Sequence, residues 1–559
     1  MPLLQLQFRL FAASLALLLA VHCRLVADDA ATEPAADGVL MPEPFATVHA
    51  PSVDRLLEVT RQLLAAGGRG QWTRVMDGYL GYLNELRGID RSRPLALLLY
   101  LDRTDADAEP VPVACLPLSS IKDLRATLVS TGNSLEAVAV ESEYLLKLGG
   151  DEFTLRVVDG YAWIVPRNRP QPPLAADDVR GRVATPATED DLYWRIDVDG
   201  IPPANRRALL DQLHRDAERE LAQQAGEDAS TYEVRSDLQR YVYEGTERLL
   251  TETGAVTMGV RLTGEPPELQ FHAGLHPRAE SGVNDYFRKA LVPKPRSFAL
   301  NPAAALSGSV HFRLNERERE LSSRFVKLLR RQTNLETQAE LPVAARQAGV
   351  QLLDALAETT EAGWIDIDVC FAPTDAGRMV LLLRTGLESI AEVDAALREL
   401  LPLVAQSNEV ESVELAVAKV AGIDWHRLIG RGLQNRDRRL YGDDARMLIG
   451  AGDAALWFAV GGEASIAVLT RLLETDRETV TGPAAVVEFR LRPWLRLAEV
   501  NGASGDRSWF EAARQVLADA ELGDRVAVSL ESTDESLLLS GVAEAGLVRI
   551  IALQLLQRP

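Results

Sequence analysis

Apolar and polar residues alternate with a period of two along Trp364-Ile365-Asp366-Ile367-Asp368-Val369, the pattern of a strand with one buried and one wet face. The same period runs through Gly254 to Leu275, Trp364 to Arg384 and Asp524 to Gly541. Each run is interrupted once, at Gly264-Glu265-Pro266-Pro267, Asp375-Ala376-Gly377 and Thr533-Asp534 respectively. These segments are predicted hairpins, because Gly and Pro supply the backbone angles a reversal needs. Pro94 to Leu101 and Val111 to Leu116 read as a fourth hairpin with a longer acidic loop. Between hairpins the spacing becomes helical, and a charged helix such as Asn205 to Gln224 is expected to cover an edge or extend outward.

A strand pattern of aliphatic, variable, aromatic, arginine, aliphatic occurs three times. It stands at Leu192-Tyr193-Trp194-Arg195-Ile196, Val310-His311-Phe312-Arg313-Leu314 and Val487-Glu488-Phe489-Arg490-Leu491. Each copy precedes helical patterns, a hairpin and another amphipathic helix, so the repeating unit reads strand, helix, helix, hairpin, helix. Ser120-Ile121-Lys122-Asp123-Leu124 and Ser389-Ile390-Ala391-Glu392-Val393 both predict a serine-capped helix start, worth about 1 kcal/mol. A second hairpin recurs in the Asp159-to-Trp163 and Asp453-to-Trp457 spacing.

In order, these marks predict a larger module A at 44–185, a smaller module B at 190–292, a Pro-rich linker at 293–304, then A′ at 305–475 and B′ at 484–559. The expected class is α+β: a tandem A-B-A′-B′ duplication of mostly antiparallel sheets with helices packed on one face.

The first residues add an address. Phe8-Arg9 followed by the apolar run Leu10 to Val21 reads as an export signal at 1–27, cleaved at Ala27-Asp28, with 28–43 as an acidic flexible spacer. Cys23 as a lipidated residue is the alternative, but His22 stands where that signal wants a small side chain. The expected location is periplasmic or extracellular, with no integral membrane domain once the signal is removed.

The 559-residue chain has 60 Lys and Arg against 81 Asp and Glu, a formal charge of −21, which disfavours nucleic acid and anionic lipid as principal partners. After signal removal only Cys115 and Cys370 remain. Both lie in strand patterns and are expected as buried thiols, with a single disulfide the other option.

Candidate chemistry is sparse. Ser119-Ser120-Ile121-Lys122 has the Ser-x-x-Lys spacing of penicillin-binding enzymes, but the companion Lys-Thr-Gly and Ser-Asp-Asn motifs are missing, and capping accounts for the serine. His272 and His276 lack companions at zinc-like spacing, and the acidic run 102–109 lacks the glycine and terminal glutamate of an EF-hand loop, so no metal or other cofactor is expected. Asp366 and Asp368 share a strand face, as carboxylate pairs do in hydrolases, yet such pairs are common in so acidic a chain. Trp163, Trp194, Trp364 and Trp457 read as core. The apolar end, Leu547 to Leu556, is expected to dock on the last hairpin.

One basic segment stands out. Arg427, Arg431, Arg436, Arg438 and Arg439, with Arg446 beyond, surround Tyr441, and arginine forks suit carboxylates and phosphates. Arg427, Arg431, Arg436, Arg438, Arg439 and Tyr441 are therefore the candidate binding residues, with Asp437, Asp443 and Asp444 available to neutralise them.

The export signal and the repeated units with their aromatic-arginine strand together resemble large exported bacterial proteins built of tandem α+β repeats. That resemblance implies no activity. The expected function is a non-catalytic binding or scaffolding surface whose partner, a protein or an apolar ligand, is unspecified. An apolar-ligand or lipid carrier, and a hydrolase whose residues converge only in three dimensions, remain open as alternatives.

Overall fold

The computed structural model describes residues 43–559 apart from 69, 102–109, 139, 141, 149, 173–180, 184–188, 296–303, 338–342, 375–376, 407, 433, 475–480, 501–506 and 558–559. The signal and its cleavage site, most of the spacer, and the acidic loop after Leu101 therefore lie outside the described residues.

The element order strand, helix, helix, hairpin, helix occurs four times. The first comprises β1 (Ala46–Ala50), α1 (Val53–Ala66), α2 (Gly70–Tyr82), β2 (Leu95–Tyr100), β3 (Val111–Pro117) and α3 (Ile121–Ser130). A four-stranded meander follows: β4 (Ser134–Ala137), β5 (Glu143–Leu148), β6 (Asp151–Val158) and β7 (Tyr161–Pro166). The second unit is β8 (Leu192–Asp197), α4 (Pro203–Leu221), α5 (Ala229–Glu252), β9 (Thr253–Thr263), β10 (Glu268–Pro277) and α6 (Gly282–Ala290), and the short β11 (Lys294–Pro295) comes after it.

The third unit is β12 (Leu306–Arg313), α7 (Glu316–Thr337), α8 (Val343–Ala362), β13 (Trp364–Pro373), β14 (Met379–Gly386) and α9 (Ile390–Val404). It continues through β15 (Val410–Val420), β16 (Ile423–Gly430), α10 (Asn435–Tyr441), β17 (Arg446–Gly452), β18 (Ala455–Gly461), α11 (Ser465–Glu474) and β19 (Thr481–Gly482). The fourth is β20 (Ala485–Arg490), α12 (Leu491–Val500), α13 (Arg507–Leu517), β21 (Arg525–Ser532), β22 (Leu537–Ala543) and α14 (Ala545–Gln557).

The class is mixed α+β, and twenty of these strands form one antiparallel sheet. Outward from the central pair β10–β22, one side runs β10-β9-β8-β1-β2-β3-β7-β6-β5-β4. The other runs β22-β21-β20-β12-β13-β14-β18-β17-β16-β15. The two sequences correspond strand for strand. Units meet through like strands: first strands at β1–β8 and β12–β20, last strands at β10–β22. A small ladder between β11 and β19 ties the segment expected as a linker to the junction before β20.

At the central seam Phe271 faces Gly541, where a Cβ would lie 2.1 Å from the Phe271 ring, so only glycine admits that ring. Helices cross the seam both ways. α6 touches β10, β12 and β21, while α14 packs on α13, α1 and β10. The C-terminal helix thus docks mainly on helices and on a strand of the other half, rather than on the last hairpin, because its apolar residues Leu547, Ile550 and Leu553 join the α12–α13 cluster. A second tie uses Glu318, whose carboxylate accepts from Tyr241 (2.8 Å) and Tyr286 (2.6 Å) while its backbone N–H donates to Asn315 in a reciprocal cap on α7. Burial, then the hydrogen bond to Glu318, pushes the Tyr241 phenol up to about 12.

Two further sequence expectations need correction. Helices cover both faces of the third unit: α9 lies over Ile449, Leu456 and Phe458, and α11 over Cys370, Trp457 and Ala459. The cause is β18 itself, which is apolar on both faces and needs cover on both. Ser120 caps α3, accepting from Asp123 N–H at 3.2 Å, but Ser389 does not cap α9: it sits at φ 51° and its hydroxyl donates to Glu358 of α8. Ser120→Ala is therefore expected to cost about 1 kcal/mol in a urea titration.

Candidate functional site

Alternation along four adjacent strands brings one row of side chains together. Ser309 of β12 faces Asp368 of β13, Asp368 faces Arg384 of β14, and Arg384 faces Trp457 of β18. His311 and Asp366, two residues along, share the same face.

Arg384 donates from Nη1 to Asp366 at 2.9 Å and to Asp368 at 3.0 Å, and its guanidinium lies 5.8 Å from the Trp457 ring centroid. The His311 ring stacks on Trp364 at 4.6 Å, with Nδ1 3.6 Å from Asp366. Gly386 makes room, since a Cβ there would lie 3.0 Å from that of Asp366.

The cluster is enclosed. The side chains of Arg384 and Asp368 are 6% and 3% exposed, so their interaction is little screened by water. Burial pushes the Asp368 carboxyl up from its ordinary value, against the opposing pull of a Ser309 hydrogen bond and the Arg384 charge. The Ser309 hydroxyl thus serves Asp368 while the His311 imidazole lies against Asp366. That is not the serine-to-base pairing that activates a nucleophile.

The row through the matching tryptophan of the first half, Trp163, runs through Cys115, Ala96 and His49. There burial alone dominates: it raises the Cys115 thiol and lowers the His49 imidazole. Cys115 and Cys370 are both buried free thiols. The charged version of the row belongs to the second half only.

The arginine segment predicted from sequence divides in space. Arg427 projects from β16 to Glu414 at 2.9 Å, and Arg446 lies near Asp444 and Glu463. Arg431 is exposed just past β16, and the Arg436 side chain lies outside the described residues. Tyr441 is half-buried, edge-on to Phe371 at 6.2 Å, and with Leu440 it fastens the short helix α10 to the core.

That anchorage leaves Arg438 and Arg439 exposed. Together with Arg378, Asn435 and Asp443 they line an open depression of about 390 Å3. Arg378 comes from the turn between β13 and β14 and donates to the Arg439 carbonyl at 2.7 Å. Sequence reasoning missed Arg378 because it lies far upstream, in a hairpin turn with no basic neighbour. Of the three expected neutralising acids only Asp443 lines the depression, while Asp444 accepts from the Glu463 N–H.

The other histidines are individually engaged. His276 lies 2.9 Å from the Thr257 hydroxyl, and His272 lies 3.6 Å from Asp190. His426, fully buried and lowered by that burial, accepts the Ala416 N–H at 3.1 Å where β15 bulges and Ala416 takes φ 51°. Among the described residues no group of three or more His, Cys, Asp or Glu side chains is placed to hold a metal ion, and no helix is long and apolar enough to cross a membrane. No family model matches the chain, and neither a curated protein nor a solved structure matches it.

Proposed function

We propose that the chain is an exported, non-catalytic binding or scaffolding protein built by A-B-A′-B′ tandem duplication. The observation that carries this reading is the strand-for-strand correspondence of the two sides of the sheet, joined through like strands into one continuous surface. What recurs between the halves is architectural. Trp163 and Trp457 are each 1% exposed, and Asp159 and Asp453 occupy tight turns at φ 50° and 53°. The charged row through Arg384, present in one half only, ties strands together.

A second reading, a carrier of an apolar ligand, draws support from the seam. Val260, Phe271 and Val528 are only half-buried there, and Val487 beside them is 43% exposed. Such an apolar strip across β9, β10, β21 and β20 suits a lipid or other apolar molecule.

Native mass spectrometry of the full chain, gently purified and compared before and after denaturation, separates the two. The binding or scaffolding reading expects the bare chain or a stoichiometric protein complex. Reproducible release of an apolar small molecule on unfolding would replace it with the carrier.

A further inference from the structure

We propose that the depression between α10 and the β13–β14 turn binds a small hydroxylated oxyanion, a sugar acid or a sugar phosphate. This deepens the binding reading above and rests on it. Arg378, Arg438 and Arg439 all line one concavity, and Asp443 is the one acidic residue among its described lining residues. The site is therefore locally basic in a chain of formal charge −21.

Guanidinium forks match the paired oxygens of a carboxylate or phosphate, which gives the ligand its anionic end. The Asp443 carboxylate accepts only, and Asn435 both donates and accepts, so the same concavity also suits hydroxyl groups beside the anion. Size and charge narrow the class further. An open depression of about 390 Å3 has room for one small molecule, while the chain's formal charge of −21 opposes a long polyanion.

The site is held open by packing. Tyr441 and Leu440 anchor α10 against Phe371, and the Arg378 hydrogen bond to the Arg439 carbonyl fixes the turn to the helix. The backbone frame of the concavity is therefore in place before a ligand arrives.

The test is calorimetric titration of the full chain at low ionic strength with two probes, digalacturonate and glucose 1-phosphate. Saturable binding of at least one is expected, weakening with added salt and falling about tenfold or more in the Arg438→Ala, Arg439→Ala double variant. Binding of digalacturonate alone identifies a carboxylate ligand, and binding of glucose 1-phosphate alone a phosphorylated one.

Both substituted residues are exposed, and circular dichroism checks that the variant is folded. Arg438→Lys, which keeps the charge but loses the fork, is expected to fall between the two. Arg427→Ala, whose guanidinium is engaged with Glu414, is expected to bind like the unmodified chain. Binding of neither probe, or equal binding by the double variant, overturns the proposal. Such a failure leaves the scaffolding reading standing, since mass spectrometry tests that separately.

Discussion

Replacing Arg384 by methionine is expected to destabilise the protein by about 3–5 kcal/mol at neutral pH, because it leaves Asp366 and Asp368 buried without their cation. Methionine fills most of the stem volume, so the loss reports the charge rather than a cavity. The cost should shrink as pH falls, since protonation relieves the two stranded carboxylates.

Asp368→Asn is the informative partner. In the folded protein burial raises the Asp368 pKa above its ordinary 3.8, so the folded chain holds that proton more tightly than the unfolded one. The stability contributed is fully present below about pH 3.8 and is lost as pH rises through the folded-state pKa. Relative to the Asn variant, the unmodified chain should therefore lose stability as pH climbs above 4. Urea titrations of both variants over pH 4 to 7 check this. An Arg384→Met cost below about 1 kcal/mol at pH 7 would show that the cluster is hydrated rather than buried.

Truncating either matched tryptophan is the second large effect. Trp163→Ala and Trp457→Ala are each expected to cost about 3–5 kcal/mol, the range for removing a large aromatic side chain from a packed core. Trp457 should lie at the upper end. Its Nε1 donates to the Gly452 carbonyl at 3.0 Å, and its ring accepts the Arg384 guanidinium. Combining Trp457→Ala with Arg384→Met should fall short of the sum, because the two side chains share one contact. Thermal denaturation followed by circular dichroism measures each change. Unchanged stability in Trp163→Ala, with loss of a partner, would make that residue part of a recognition surface instead of the core.

Local features were legible in the sequence and distant registers were not. The hairpins around Glu265-Pro266 and Thr533-Asp534 could be read because turn chemistry lies within a few residues. The joints β1–β8, β12–β20 and β10–β22 could not, since nothing near either strand specifies a partner far away in the chain. Ser389 shows the same limit at short range: its local pattern matches Ser120, yet the carboxylate of Glu358 on a neighbouring helix captures the hydroxyl.

The candidate sites divide likewise. Asp366 and Asp368 were visible as a pair, but their meaning depends on Arg384, which joins them through register alone. Within the arginine segment, helix packing selected Arg438 and Arg439 for the depression, while pairing with Glu414 took Arg427 elsewhere.

The β10–β22 seam also sets an order of events during synthesis. β10 is complete long before β22 leaves the ribosome. Until then the first half carries a bare strand edge and an uncovered Phe271, open to pairing with a neighbouring nascent chain. Closure of the sheet must wait for β22, and contacts so distant in sequence form slowly. Two such nascent chains are therefore able to pair through β10 until β22 has been made.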